Sequence, residues 1–291
     1  MEISPALLFN AIIAGLLLGG LYAAMSVGIS ISFGMLDVVN IAHPGFIILG
    51  SYIAYIVNSR YGFDPILVGI VLSPLFFLLG ATLYRVYYLC FEKRGQESLR
   101  GLAFFFGILF IIEVALILVF GVDYRTVSGI YTDVTWRLGV VDFPLRMVVP
   151  FLVSLVMVIG LQLYLTRTFF GRAVLAVAQD QVALRLMGVD PVRIKELAFA
   201  LSIGTAGIAG AFLIVIQPLE PSVGREYIGL VFAVCVLGGM GSIWGTLLGA
   251  LVLGLAESFT ATFFGPSWAP AVSFGMLLLA LAFRPAGLFG R

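Results

Sequence analysis

The sequence predicts an all-α integral membrane protein, and three observations carry the prediction. Hydrophobic residues make up 62% of the 291 and charged residues 11%, against about half and about a quarter in an ordinary soluble domain. Apolar runs of roughly 20 residues, enough to cross the hydrocarbon core, recur along the whole chain. Nearly all of the 16 lysines and arginines fall between or at the ends of those runs.

Taken in order, breaks at charged or Pro/Gly-rich segments place spans at 6–33, 36–57, 65–91, 101–120, 147–166, 196–217, 226–240, 243–263 and 268–284. The first run follows Glu2 with no basic start and no short apolar centre, so a retained span is expected rather than a signal peptide. The sequence GGMGS at 238–242 is either a turn between two short spans or a break within one, which makes the count eight or nine. One membrane domain over 1–291 is expected.

Orientation follows from the basic residues. Arg85, Lys93, Arg94, Arg100, Arg167, Arg172, Arg185, Arg193, Lys195, Arg284 and Arg291 fall in one set of loops, and only Arg60, Arg125, Arg137, Arg146 and Arg225 in the other. The positive-inside rule puts the first set in the cytoplasm and the N-terminus outside. The loop 122–146 is then external, and its β-branched and aromatic residues between turn signals predict a small hairpin. The loop 166–196 is internal. Ala173, Val174, Val177 and Ala178 recur at helical spacing there, with Leu184, Leu186 and Met187 adding apolar surface, so one or two short amphipathic helices are expected. Such a segment suits either the headgroup layer or a groove on a cytoplasmic partner.

Several chemistries are excluded. Cys90 and Cys235 form no CxxC pair and are accompanied by the chain's single histidine, so disulfide, zinc and iron–sulfur readings fail. No H-E-x-x-H, G-x-S-x-G or G-x-x-x-x-G-K-[ST] motif is present. No catalytic residue, metal site or cofactor is assigned, and energy for pumping has to come from an ion gradient or another subunit. Glu113 and Glu257 lie inside apolar runs, where a carboxylate needs a partner, a cavity or a proton. No basic residue is evident at matching depth, so a hydrogen-bonded structural role is set beside a proton relay. Gly15 and Gly19, Gly204, Gly207 and Gly210, and Gly241, Gly245 and Gly249 recur at three- or four-residue steps that mark close helix contacts.

The stretch NIAHPGF, 40–46, sets the only histidine before Pro44 and Gly45 inside apolar sequence. Proline removes a backbone donor and disfavours helix at the residue before it, so a helix break is expected. Asn40 and His43 either satisfy the freed backbone groups or line a path. With GGMGS, the break gives one interruption in each half, the pattern of a substrate path between two halves.

These residues also resemble a known family. GLLLGGLYAAMSVGISISFGMLDVVNIAHPGFIILGSY is similar to the start of LivH-like permeases of branched-chain amino acid ABC importers. GRAVLAVAQDQVALRLMGVD resembles their cytoplasmic segment, LGGMGSIWGTLLGALVLGLAES their second glycine block, and RPAGLFG their closing motif. The resemblance runs from about residue 15 to the C-terminus, and the absence of extra domains favours the smaller of the two permease types. It implies a bacterial inner-membrane subunit paired with a homologous permease, fed by a periplasmic solute-binding protein and driven by two cytoplasmic ATPase subunits that bind the ATP. Gly171, Arg172, Ala173, Asp180, Ala183 and Gly188 match the ATPase-docking segment. Asn40, His43, Pro44, Gly45 and Phe46, with Gly238, Gly239, Gly241 and Ser242, match the interrupted segments and are the translocation-path candidates. Glu257 falls at the family's usual glutamate, which favours a structural role. Pro44 and Gly45 depart from the usual pattern. The expected cargo is branched-chain or hydrophobic amino acids or related small organic solutes; an ion-coupled secondary transporter or passive solute channel is the alternative.

Overall fold

The computed structural model describes residues 5–95, 98–139, 141–284 and 287–289. Helices dominate. The first four are α1 (Pro5–Ser32), α2 (His43–Tyr61), α3 (Pro65–Cys90) and α4 (Ser98–Phe120). An antiparallel hairpin follows, β1 (Thr135–Leu138) and β2 (Val141–Pro144), with Thr135 opposite Pro144 and Leu138 opposite Val141. Then come α5 (Leu145–Arg167), two short helices α6 (Phe169–Val177) and α7 (Gln181–Leu186), the long α8 (Pro191–Ile216), and α9 (Glu226–Gly238), α10 (Ile243–Phe263) and α11 (Ala269–Phe283). Among the described residues, eight helical stretches are long and apolar enough to cross a membrane. The shorter, more polar α2 lies among them, packed on α8, α4 and α3.

Local sequence sets the helix starts. Asp64 caps α3 by accepting from the amides of Ile66 (2.9 Å) and Leu67 (3.1 Å), and Asp190 caps α8 by accepting from Val192 (3.0 Å). In each case proline follows, where its missing N–H costs nothing. Pro44 plays the same part in the first turn of α2. The expected second span over 36–57 is therefore shifted: residues 33–42 are an irregular link, and the helix runs from His43 to Tyr61. Proline starts this helix rather than breaking it.

Contacts between connections sort the helix ends into two sets. At one end, Asn10 accepts from the amide of Asp142 in the hairpin, Asn58 donates to the carbonyls of Phe63 and Ser128, Arg125 pairs backbone to backbone with Leu219, and Arg146 donates to the carbonyl of Ile216. At the other end, Lys195 meets Glu92, and the C-terminal Leu288 and Phe289 amides donate to the carbonyls of Leu237 (2.9 Å) and Gly238 (3.1 Å). The second end carries ten of the basic residues assigned inward from sequence; Arg291 lies outside the described residues, as do Pro285, Ala286 and Gly290 of the closing motif.

Helix α8 is the hub, buried over most of its length against α1, α2 and α3. Between helices in lipid no hydrophobic gain drives association, so close backbone packing has to hold them. Glycine supplies it. A Cβ on Gly210 would stand 2.7 Å from the amide nitrogen of Ser51, and one on Gly80 2.8 Å from the Cα of Ala200. Ser51 adds a hydrogen bond to the Gly210 carbonyl at 2.7 Å. Gly15 and Gly19 similarly seat α10, where added Cβ atoms would lie 2.8 and 2.7 Å from the Cα atoms of Leu255 and Leu251. The third glycine series divides: Gly245 and Gly249 pack on α9, whereas Gly241 is part of the turn before α10.

Gly210→Leu should lower the midpoint of thermal unfolding in detergent, measured by loss of the monodisperse chromatographic peak, with overpacking costing about 1–3 kcal/mol. Gly160→Ala, where an added Cβ meets nothing within 4 Å, should leave the midpoint unchanged or raise it.

Candidate functional site

Three of the sequence features that stood apart, the 166–196 segment, GGMGS and the C-terminal motif, come together at the basic end, joined by the start of the α1–α2 link ahead of NIAHPG. They wall a cavity of about 720 Å³. Gly34 and Met35 enter it from the link between α1 and α2, and Gln162, Leu165 and Thr166 from the end of α5. Leu175, Ala178 and Gln179 come from α6 and the turn after it; Met240 to Trp244 and Leu248 come from the α9–α10 connection, and Phe289 from the C-terminal motif.

The glycine-rich turn is built residue by residue. Gly239 (φ 100°) and Gly241 (φ 80°) adopt conformations that side chains resist. Ser242 caps α10, its hydroxyl accepting from the Gly245 amide at 3.1 Å. Gly238 and Gly245 let the two helices meet backbone to backbone, and the turn lies against Gly34, where a Cβ on Gly241 would come within 2.7 Å of the Gly34 carbonyl oxygen. The start of the α1–α2 link and the GGMGS turn thus touch. GGMGS is a turn between two helices, which settles the alternative left open by sequence.

Asn40, His43, Pro44, Gly45 and Phe46 lie elsewhere, buried inside the chain. His43 donates from Nε2 to the Met25 carbonyl at 3.1 Å. A Cβ on Gly28 would crowd the His43 ring, the Ser202 carbonyl and the Thr205 hydroxyl, so α1, α2 and α8 meet at this imidazole. Among the described residues, the Asn40 amide, His43 Nδ1 and the hydroxyls of Ser26 and Ser202 are buried without a hydrogen-bond partner. Gly45, one of the two departures from the family pattern, admits Leu109 of α4, whose Cδ1 lies 2.8 Å from an added Cβ.

The 166–196 segment forms two helices with different roles. Thr168 caps α6, accepting from Gly171 at 3.0 Å. Gly171, Ala173, Val174 and Val177 are buried, so the apolar side of α6 is already used. On α7, Asp180 is the cap, accepting from Val182 (2.8 Å) and Ala183 (3.0 Å), and Gly188 (φ 79°) turns the chain out of it. Val182, Leu186 and Met187 remain 68%, 85% and 82% exposed, and Arg172 and Ala183 are exposed near them in the chain. Of the six docking candidates, Gly171 and Ala173 pack the segment, Asp180 and Gly188 bound α7, and Arg172 and Ala183 face outward. Sequence reasoning missed Val182, which the i, i+4 spacing to Leu186 signals.

Both intramembrane glutamates have partners. Glu113, buried on α4, meets Arg225 at 2.6 Å, and that guanidinium lies over the Phe110 ring at 5.6 Å. The expectation of no basic partner is corrected: Arg225 reaches in from the turn before α9. Glu257 accepts from the Tyr22 hydroxyl at 2.8 Å, and Gln217 donates to the Tyr227 hydroxyl. A further pair was not anticipated. Lys195, at the start of α8, meets Glu92 after α3 at 2.6 Å, and Tyr84 donates to the same carboxylate at 2.6 Å. This buried pair ties the helix leaving the α6–α7 segment to the bundle.

Fold and site together define a multi-pass membrane protein whose basic end carries a cavity beside a short, exposed helical segment. The chain belongs to the family described as branched-chain amino acid transport system / permease component, whose model matches residues 11–281. It is 29% identical to the high-affinity branched-chain amino acid transport system permease protein BraD of Pseudomonas aeruginosa, across 96% of this chain and 95% of that one. It is 25% identical to LivH of Escherichia coli K12, across 95% and 94%, and 28% identical to LivM of Salmonella typhimurium, across 92% of this chain and 67% of that one. Membership makes it a transport subunit rather than an enzyme.

Breaking the buried pair tests its weight. Glu92→Gln alone should cost about 3–5 kcal/mol by stranding the Lys195 charge, and Glu92→Gln with Lys195→Met should recover most of that loss. Chemical unfolding in mixed micelles reads both; equal losses in the single and double variants would show that the pair carries no such coupling.

Proposed function

We propose that this chain is one transmembrane half of an ATP-binding-cassette importer for branched-chain or other hydrophobic amino acids and related small organic solutes. The observation that carries the proposal is α7: Val182 and Leu186 on a six-residue helix, with Met187 at its C-cap, stand exposed at the basic end, in a member of a permease family. A helix so short does not hold itself together in water. Here Asp180, Gly188 and the packed α6 hold it, and its outward side is left for a partner. That partner is one of two cytoplasmic ATPase subunits, which bind and hydrolyse the ATP; this chain needs no cofactor of its own.

The remaining assignments follow the same reading. A homologous second permease completes the pathway, in keeping with similarity to relatives named LivH and LivM, and a periplasmic binding protein delivers the solute. The basic end faces the cytoplasm of the bacterial inner membrane and the N-terminus faces outward. The path runs past the two interrupted segments: Asn40, His43, Pro44, Gly45 and Phe46 form its packed wall, and Gly238, Gly239, Gly241 and Ser242 its inner mouth. Glu113 and Glu257, engaged by Arg225 and Tyr22, are structural groups rather than a proton relay.

In proteoliposomes holding the complete importer, ATP on the side of α7 should drive solute accumulation that a proton ionophore leaves intact. Ala183→Glu or Arg172→Glu should retain assembly of the two permeases while uptake per ATP hydrolysed falls at least about tenfold, the factor for roughly 1.4 kcal/mol of lost coupling. Uptake by this chain without ATPase subunits, dependent on an ion gradient, would overturn the proposal.

A further inference from the structure

We propose that the inner-end cavity is a solute-binding site within this single chain, occupied as the transported molecule leaves, and that it takes small amphipathic solutes carrying no net charge. The inference rests on the transport reading above and adds where the solute pauses and what the site selects.

Size and lining support it. A volume of about 720 Å³ lies within the range of about 300–1,000 Å³ typical of small-molecule sites. Among the described residues, none that lines it is charged. The polar atoms come from neutral groups, above all the Gln162 and Gln179 side-chain amides, for which no protein hydrogen bond is found among the described residues. A primary amide both donates and accepts, so such a pair suits the carboxylate and ammonium ends of a zwitterion. Met35, Met240 and Trp244 offer apolar surface to its side chain. A solute with net charge would shed hydration there without a counter-charge, which is costly. The other cavity at this end is lined by Arg85, Asp190, Arg193 and Glu196 and has the opposite character.

Position gives the site a consequence. Its walls include the touching Gly34 and Gly241 segments and the end of α6, a few residues before Asp180 caps α7. An occupant therefore bears at once on the α1–α2 link, on the GGMGS turn and on the helix pair that faces the ATPase.

The test uses the complete importer in inverted membrane vesicles. Cys90→Ser removes the exposed native thiol, Cys235 is buried, and Ala178→Cys places a reporter at the cavity lip. L-leucine and L-phenylalanine should slow labelling by a membrane-impermeant maleimide about threefold at twice their Kd, following simple occupancy. L-glutamate and L-lysine should not. Adding Gln162→Leu with Gln179→Leu should abolish the protection while leaving the unprotected labelling rate unchanged, and Gln162→Glu should make L-lysine protective. Undiminished protection in the double-leucine variant would overturn the site, as would no protection by either neutral amino acid in vesicles that accumulate solute with ATP. The latter result leaves the importer reading standing. Protection without any ATP-driven uptake would support the site and count against the importer.

Discussion

Close approach of backbones at glycine is the constraint on which the rest of the molecule depends. Lipid tails are as apolar as the side chains facing them, so helices in a membrane are held by packing and polar contacts rather than by escape from water. Around α8 the packing distance is set by Gly207 and Gly210 on the hub and by Gly50, Gly69 and Gly80 on its neighbours. Methyl groups at these positions would push α2 and α3 away. The His43 meeting point with Gly28, the shelter of the irregular link at 33–42, and the contact between Gly34 and Gly241 all require that spacing.

From that frame the two ends acquire different characters. The hairpin end is knitted by bonds between distant connections, with Arg125 paired to Leu219, Arg146 reaching the end of α8 and Asn58 holding the 122–134 loop. The basic end combines a buried ion pair, Lys195 with Glu92, with glycine turns and a cavity. Force applied at α7 enters α8 through Val189, Asp190 and Pro191, close to the clamped Lys195. It meets the cavity wall through α6. A transport subunit driven from its cytoplasmic side gains from this arrangement, because one short helix addresses both the hub and the mouth.

Much of this was legible in the sequence where the signal is local. Hydropathy located the spans because a crossing helix must be apolar along its length, and the turn residues of GGMGS and the period of Ala173, Val174 and Val177 marked their elements. Pro44 misled: proline looks the same in a string whether it breaks a helix or starts one, and here it falls in the first turn of α2, directly after the irregular link. Partnerships across the fold were not legible. Glu113 finds Arg225 from 112 residues away and Glu92 finds Lys195 from 103, and no periodicity records such distances. The family resemblance singled out the 166–196 segment but not the different burial of its two helices, since burial of α6 and exposure of α7 depend on which face the bundle covers.

The central claim is that this chain is driven through α7 at its basic end. Hydrogen–deuterium exchange of the permease pair, with and without the ATPase subunits, tests it most directly. The account predicts that binding slows exchange across residues 181–189 and leaves the 135–144 hairpin at the opposite end unchanged. Unaltered exchange at 181–189 in a complex shown to be assembled, or protection confined to the hairpin end, would contradict it.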